Sequence, residues 1–157
     1  MFEKIVLAVD GSDQAKGAVA AAADLSAKSG GEIRVVHVHE KGYVSRETVD
    51  LETLVEARVL MQAVLDVLTN AGVKATGELR AAASTSVAKE ILEAARGFNA
   101  DCIVLGSRGL GDFSGLLLGS VAHKVIQLAD CPVVVVRAAG VSTASLDVEQ
   151  TQTTSVA

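Results

Sequence analysis

The segment from Gly106 to Val121 is unusual in composition, because five of its sixteen residues are glycine. It follows an apolar run, Cys102 to Leu105, that is typical of a buried strand. Glycine packs no side chain and loses much conformational entropy on folding, so a cluster of glycines marks a tight turn or a close approach of the backbone to another group. That group could be another strand, another subunit or a phosphate.

The glycine spacing can be compared with the known glycine-rich loops that bind nucleotides. A Walker-type phosphate loop ends in Gly-Lys-Ser or Gly-Lys-Thr, and neither follows any predicted strand. The dinucleotide fingerprint is nearly matched by Gly109, Gly111 and Gly115, but the third glycine is one residue late and the motif follows the fourth predicted strand instead of the first. The remaining spacing is Gly106-x2-Gly109-x9-Gly119-Ser120.

The end of this spacing has the chemistry of an anion site. Gly119 and Ser120 begin a predicted helix, where unpaired backbone N–H groups and the positive end of the helix dipole favour an anion. The hydroxyl of Ser120 can donate to a phosphate oxygen, and Gly119 has no side chain to block it. Arg108 could be a phosphate counter-ion or a solvated loop cation. A flexible loop that only covers the sheet edge is the structural alternative.

Two histidines raise the alternative of a metal site. His37 and His39 are two residues apart on a predicted strand and therefore face the same way. The sequence offers no evident third ligand, so no metal site is predicted.

Composition and charge restrict the class of protein. The 157 residues suit one domain, and the composition is 50% hydrophobic but only 3% aromatic. With a net charge of -5 and few stacking residues, a nucleic-acid partner is not expected. No apolar stretch predicts a signal peptide or a membrane span, which points to the cytoplasm. Cys102 and Cys131 each begin an apolar run and are expected to be buried free thiols, although neighbouring strands would permit a disulfide.

Strand and helix patterns alternate along the chain, which predicts parallel strands joined by helical crossovers. A polar loop of about ten residues is expected around Gly42 to Ser45, and Gly77 weakens the third strand. The predicted strands are 4–10, 32–39, 74–80, 102–105 and 133–136. The predicted helices run from Ser12 or Asp13 to about Ser29, from Leu51 to near Gly72, from Val87 to Phe98 and from Ser120 to Ala129.

These elements predict an α/β fold, a doubly wound parallel sheet of five strands in the order 3-2-1-4-5, in a single three-layer domain. The chain then reverses direction between strands 1 and 4, and ligands bind at such a switch point. Asp10 lies at one lip of that crevice and Gly106 at the other. Residues 1–138 are expected to form the domain, and residues 139–157, which are small, polar and aperiodic, a flexible tail.

The chain resembles the universal stress protein family over about residues 1–137, and in particular its nucleotide-binding branch, which carries Gly-x2-Gly-x9-Gly-Ser/Thr. The resemblance includes "KIVLAVDGS" at the start, "VVHV" in the second strand, "ADCIVLGSRG" before the loop and "SVAHKVIQLADCPVVVV" after it. One segment departs from the family. Many relatives have Gly-x-Pro before the third helix, whereas this chain reads "AAASTSVAKEI".

The resemblance implies an ATP-binding protein, with Mg²⁺, that acts as a cytoplasmic stress-response regulator or sensor. By the same resemblance Asp10 accepts from the ribose hydroxyls, unless it is only a helix cap, and the backbone of Val38 meets the adenine edge. A homodimer through strand 5 is implied as well, since an apolar edge strand is usually covered. The implied nucleotide-binding residues are Asp10, Val38, Gly106, Arg108, Gly109, Gly119, Ser120 and Val121, and the dimer residues are Val133, Val134, Val135 and Val136.

Other functions remain open at this point. The chain could be a slow ATP hydrolase or phosphorylate itself on a loop serine, although no catalytic base for water is evident. A cyclic nucleotide such as cAMP would fit the same crevice. A ligand-free dimeric module, as in the family's other branch, is disfavoured by the intact glycine motif.

Overall fold

The first strand is buried from Ile5 to Val9 because it lies in the middle of a sheet covered on both faces. The computed structural model describes residues 2–44, 47–50, 52–108 and 118–137. Within this part the strands are β1 (Lys4–Val9), β2 (Glu32–Val44), β3 (Glu47–Asp50), β4 (Lys74–Ala83), β5 (Cys102–Gly106) and β6 (Val133–Val136). The helices are α1 (Asp13–Ser29), α2 (Leu54–Asn70), α3 (Val87–Phe98) and α4 (Ser120–Leu128), with one 3₁₀ turn at Ser84–Ser86.

Five of these strands are parallel and follow the order β4-β2-β1-β5-β6. This confirms the predicted order 3-2-1-4-5 and the predicted α/β class. The chain moves outward from β1 through β2 to β4, and then returns to the other side of β1 as β5. The switch point therefore lies between β1 and β5.

The sheet also has a short antiparallel strand that the sequence did not predict. β2 continues to Val44 and pairs with β3, where a polar loop was expected. β4 likewise runs on to Ala83, because it pairs with β2 over ten residues, from Glu32–Lys74 to Lys41–Ala83. These extensions come from pairing between strands, which the composition of each segment does not report.

Gly77 does not interrupt β4; it makes room for α2. A Cβ atom at this position would lie 2.7 Å from the sulfur of Met61 and 3.2 Å from Cδ1 of Leu65. The absence of a side chain therefore lets α2 pack closely on β4.

The helices cover the two faces of the sheet in pairs. Ile5, Leu7 and Val9 of β1 pack with α1 and α2, while Val6 and Ala8 pack with α3 and α4. This alternation follows from the two-residue period of a strand. Both faces of β1 are thus apolar, as expected for a parallel sheet.

The helix ends follow local sequence signals. Ser12 caps α1 by accepting a hydrogen bond from the N–H of Ala15, and Gly30 ends the helix in the left-handed conformation. Thr53 and Glu56 form a capping box at the start of α2. The backbone and hydroxyl hydrogen bonds from Thr53 lower the pKa of Glu56.

The two cysteines lie on opposite faces of the sheet and are free. Cys102 packs in the α1/α2 layer, whereas Cys131 packs against the α3/α4 layer. Burial raises the pKa of Cys102 to about 11 and that of Cys131 in the same direction, so both thiols stay protonated near neutral pH.

None of the helices in the described ranges is long and apolar enough to cross a membrane. The predicted domain boundary at residue 138 and the segment 139–157 lie outside the residues that the structure describes.

Candidate functional site

The carboxyl ends of β1, β2 and β5 meet at one edge of the sheet. β1 pairs in register with β2 up to Val9 and with β5 up to Ala8. Continuing both registers past the strand ends places Val38, Asp10 and Ser107 in one row. Neighbouring strands are about 4.8 Å apart, so these three residues are close neighbours across the edge.

Asp10 begins a tight turn between β1 and α1. Its Oδ1 accepts a hydrogen bond from the N–H of Ser12 at 3.0 Å, and Gly11 between them has a φ of 81° that favours glycine. Oδ2 of Asp10 makes no hydrogen bond to the described residues. The half-buried carboxylate therefore shapes the turn with one oxygen and keeps the other available for a partner.

Gly106, which ends β5, is glycine because α1 starts directly above it. A Cβ atom there would lie 2.9 Å from Cβ of Gln14 and 3.3 Å from its backbone carbon. A side chain would thus collide with the first turn of α1. This packing accounts for the glycine without a ligand and brings the start of α1 close to the switch point.

Ser107 anchors both ends of the glycine-rich connection. Its N–H donates to the carbonyl oxygen of Val136 at 2.8 Å, which extends the contact between β5 and β6. Its carbonyl oxygen accepts from the N–H of Gly119 at 2.7 Å. The start of α4 is therefore held against the end of β5, next to the row that contains Asp10.

The amino terminus of α4 has no side-chain cap in the described part of the chain. Gly119 is the N-cap residue, and its carbonyl oxygen accepts the first helical bond, from the N–H of His123 at 2.9 Å. The next three N–H groups, of Ser120, Val121 and Ala122, have no intrahelical acceptor, as at every helix start. Their partial positive charge gives this end of α4 the properties of an anion site.

Val38 lies between two histidines whose side chains make hydrogen-bond contacts in the structure. The side chain of Val38 is buried in the α3/α4 layer, so only its backbone can meet a ligand at the edge. His37 and His39 face the other layer and both contact Glu52, in the segment before α2. Sequence reasoning missed Glu52, because nothing in the local pattern links it to β2.

The other predicted site residues lie at or beside the carboxyl ends of these strands. Arg108 directly follows Ser107 and is half-buried. Val121 is half-buried against the α3/α4 layer. Gly109 lies outside the described residues. The structure therefore gathers Asp10, Val38, Gly106, Arg108, Gly119, Ser120 and Val121 around the switch point.

The segment that lacks Gly-x-Pro has its own geometry. β4 runs into the 3₁₀ turn Ser84–Ser86, which leads directly into α3. The hydroxyl of Ser84 donates to the carboxylate of Glu40, which ties this turn to β2. The connection is thus held by side-chain hydrogen bonding.

Comparison with known proteins agrees with this architecture. The sequence model of the universal stress protein family matches residues 1–137. A universal stress protein from Thermus aquaticus is 39% identical over 141 residues, covering 87% of this chain and 100% of the relative.

Solved structures show the same fold. The universal stress protein of Archaeoglobus fulgidus in complex with dAMP superposes with a TM-score of 0.67 and 25% identity, covering 87% of this chain and 98% of that chain. A universal stress protein in complex with cAMP has a TM-score of 0.68 and 23% identity, covering 87% and 97% of the two chains.

Proposed function

Since the chain belongs to the universal stress protein family, we propose that it binds an adenine nucleotide, ATP in the first instance, at the carboxyl edge between β1 and β5. One observation carries the proposal. The uncapped start of α4 is held by the Gly119–Ser107 hydrogen bond beside the row that contains Asp10. A phosphate chain at α4 and a sugar at Asp10 would then be a short distance apart, as a nucleotide requires.

The phosphates would bind at the start of α4. The N–H groups of Ser120 and Val121 and the hydroxyl of Ser120 would donate to phosphate oxygens, and Gly119 would leave the approach clear. The backbone of Gly106 and Gly109 would line the phosphate path. Arg108 would add positive charge next to Ser107.

The nucleoside would bind across β1 and β2. Oδ2 of Asp10 would accept from the ribose hydroxyls while Oδ1 keeps its bond to Ser12. The backbone of Val38 would recognise the adenine edge. The Archaeoglobus fulgidus relative binds dAMP, which supports an adenine nucleotide in this fold.

Magnesium would bind together with ATP. The described residues contain no group of three His, Cys, Asp or Glu side chains that could hold a metal ion. Mg²⁺ is commonly held by substrate phosphates together with one or two carboxylates. Here the phosphates would provide most of its ligands.

A role as a cytoplasmic stress-response regulator or sensor follows as part of the proposal. In such a role the nucleotide would report the energy state of the cell. Two copies would associate through the outer edge of β6, whose four valines are only half-buried in one chain. A cyclic nucleotide is the second candidate, because a structure with this fold was solved with cAMP.

Identification of the bound nucleotide tests this function. The protein is purified without added nucleotide and denatured, and mass spectrometry identifies the small molecules released. Stripped protein is then titrated calorimetrically with ATP, AMP and cAMP, with GTP as the control for the base. We expect ATP to bind most tightly and GTP to bind weakly. If no adenine nucleotide binds, the proposal is wrong.

A further inference from the structure

Glu52 contacts two histidines that lie next to both parts of the proposed nucleoside site, Asp10 for the ribose and Val38 for the adenine. Its Oε2 lies 2.7 Å from Nε2 of His37, and its backbone carbonyl oxygen accepts from Nε2 of His39. His37 and His39 flank Val38. We name Glu52, His37 and His39 the Glu52 clamp.

The same clamp reaches the residue before Asp10. Nδ1 of His37 lies 2.8 Å from the carbonyl oxygen of Val9, the last residue of β1. The imidazole thus bridges β1 and the segment before α2. Its side chain is 4% exposed and that of Glu52 is 26% exposed, so water competes little for the His37 contacts.

Hydrogen-bond chemistry restricts the state of the His37 ring. A backbone carbonyl only accepts, so Nδ1 must carry the proton that it shares with Val9. An ionised carboxylate also only accepts, so Nε2 must carry a second proton to bond with Glu52. Both contacts therefore exist together with an ionised Glu52 only when the ring is an imidazolium. Loss of one ring proton leaves a nitrogen lone pair against a carboxylate.

We propose that Glu52 is a positioning residue for the nucleotide site, which fixes Asp10 and Val38 through His37 and His39 only while the His37 ring carries both protons. This inference rests on the proposed function, since it assigns the sugar to Asp10 and the base to Val38. The clamp then makes nucleoside binding weaken as the pH rises, because loss of a ring proton breaks one of the two His37 contacts.

Other titratable groups also lie on or next to this face of the sheet. β2 itself contributes His39 and Lys41 on the same side, and Asp10 follows β1. β4 and α2 contribute apolar side chains to this layer, among them Leu79 and Met61. Within the described residues, Glu52 is the carboxylate that contacts the His37 ring.

Adenosine is the probe for the test, because it has no phosphate that changes charge between the two pH values compared. Its dissociation constant is measured at pH 6 and pH 8.5 for the wild type and for Glu52→Gln. Glutamine can donate to a singly protonated ring or accept from a doubly protonated one, so it keeps the clamp closed at both values. Glu56→Gln, which removes the same charge outside the clamp, is the matched control.

We expect the wild type and Glu56→Gln to bind adenosine about five-fold or more weakly at pH 8.5 than at pH 6, as for a typical coupling between sites. Glu52→Gln should change much less and should bind more tightly than the wild type at pH 8.5. A purely structural role predicts the opposite, a variant no better than the wild type at either pH. Equal pH slopes for wild type and Glu52→Gln would overturn the proposal.

A second measurement separates this inference from the proposed function. In ligand-free protein, the backbone amide signals of Asp10 and Gly11 should shift between pH 6 and pH 8.5 in the wild type and shift less in Glu52→Gln. Absence of nucleotide binding with these shifts present would refute the function and keep the clamp. Amide signals that move equally in both proteins would refute the clamp.

Discussion

Gly119 occupies a position where helices usually carry Ser, Thr, Asp or Asn. A side chain of that kind would bond to the N–H groups of the first turn of α4, which we assign to the phosphates. Glycine leaves them open. The backbone of Gly119 is extended, with φ −71° and ψ 160°, so other residues can adopt it.

Gly119→Val should therefore abolish ATP binding while the protein still folds cooperatively. The branched side chain would stand in the path of the phosphates without straining the backbone. Ser120→Ala, which removes one hydroxyl, should weaken binding by only about 1 to 2 kcal/mol. Calorimetric titration measures both, with circular dichroism as the folding check. If Gly119→Val binds ATP like the parent, the phosphate site is not at α4.

Asp10→Asn separates the two roles of this carboxylate. Asparagine keeps an oxygen that accepts from Ser12, so the turn before α1 should be preserved, but it replaces the oxygen assigned to the ribose with a donor. The affinities for ATP and for adenosine should fall by a similar factor, because both ligands carry the ribose. A loss confined to ATP would place Asp10 near the phosphates. Thermal unfolding with an unchanged Tm confirms that the turn is intact.

Single residues show where sequence reasoning reaches its limit. The common orientation of His37 and His39 was predicted from their spacing, and it is seen. Their contact with Glu52 could not be predicted, because it joins segments whose proximity depends on the whole sheet. The family resemblance implies that Gly106 binds the nucleotide, whereas the packing of Gln14 by itself accounts for a glycine there.

At the scale of elements, α1 and β5 pack closely at the switch point. Gly106→Ala should destabilise the protein by about 1 to 3 kcal/mol, because the new methyl group would meet Cβ and backbone of Gln14, which cannot move independently of α1. Gly97→Ala in α3 is the control. A Cβ there meets nothing within 4 Å, so alanine should stabilise the helix by about 0.5 to 1 kcal/mol.

Urea unfolding of both variants checks this pair. The contrast in sign is the diagnostic feature, since both changes add one methyl group to a glycine. If Gly106→Ala stabilises the protein as Gly97→Ala does, the packing of α1 against β5 does not exclude a side chain at position 106.

Elements with local signals were predicted best. α1 begins and ends at residues whose side chains or conformations act within a few positions, Ser12 and Gly30. The hairpin of β2 and β3 was missed, because β2 continues past its apolar core and gains its order from pairing with β3 and β4. The pairing with β4 joins residues more than 30 positions apart, which periodicity does not contain.

At the scale of the whole molecule, the proposed dimer would form through β6. In the described part of the chain β6 pairs only with β5, so its other edge presents unpaired backbone groups. Val135→Lys should shift the proposed dimer toward monomer, measured by light scattering at micromolar concentration. The same change at Val59, which is 64% exposed on α2, is the control and should leave the mass unchanged. A wild type that is already monomeric contradicts the dimer.

The proposed domain boundary gives a further test. The family match ends at residue 137 and β6 ends at Val136. A chain that ends after residue 138 should therefore keep its Tm within about 2 °C, since a loss of 1 kcal/mol moves the Tm of a domain this size by at least that much. Its ATP affinity should also be unchanged. A clear drop in either quantity would show that residues 139–157 belong to the folded unit or to the site.

The hydrogen bond between Gly119 and Ser107 also makes the connection between β5 and α4 suitable for carrying an inserted peptide. It closes the connection from β5 to α4 at its base, so the separation of the two ends is set by one peptide pair and not by the number of residues between them. Doubling the length of a flexible loop costs only about 0.6 kcal/mol in closure entropy. A reporter peptide or an epitope inserted between these anchors should therefore leave the ends of β5 and α4 in place.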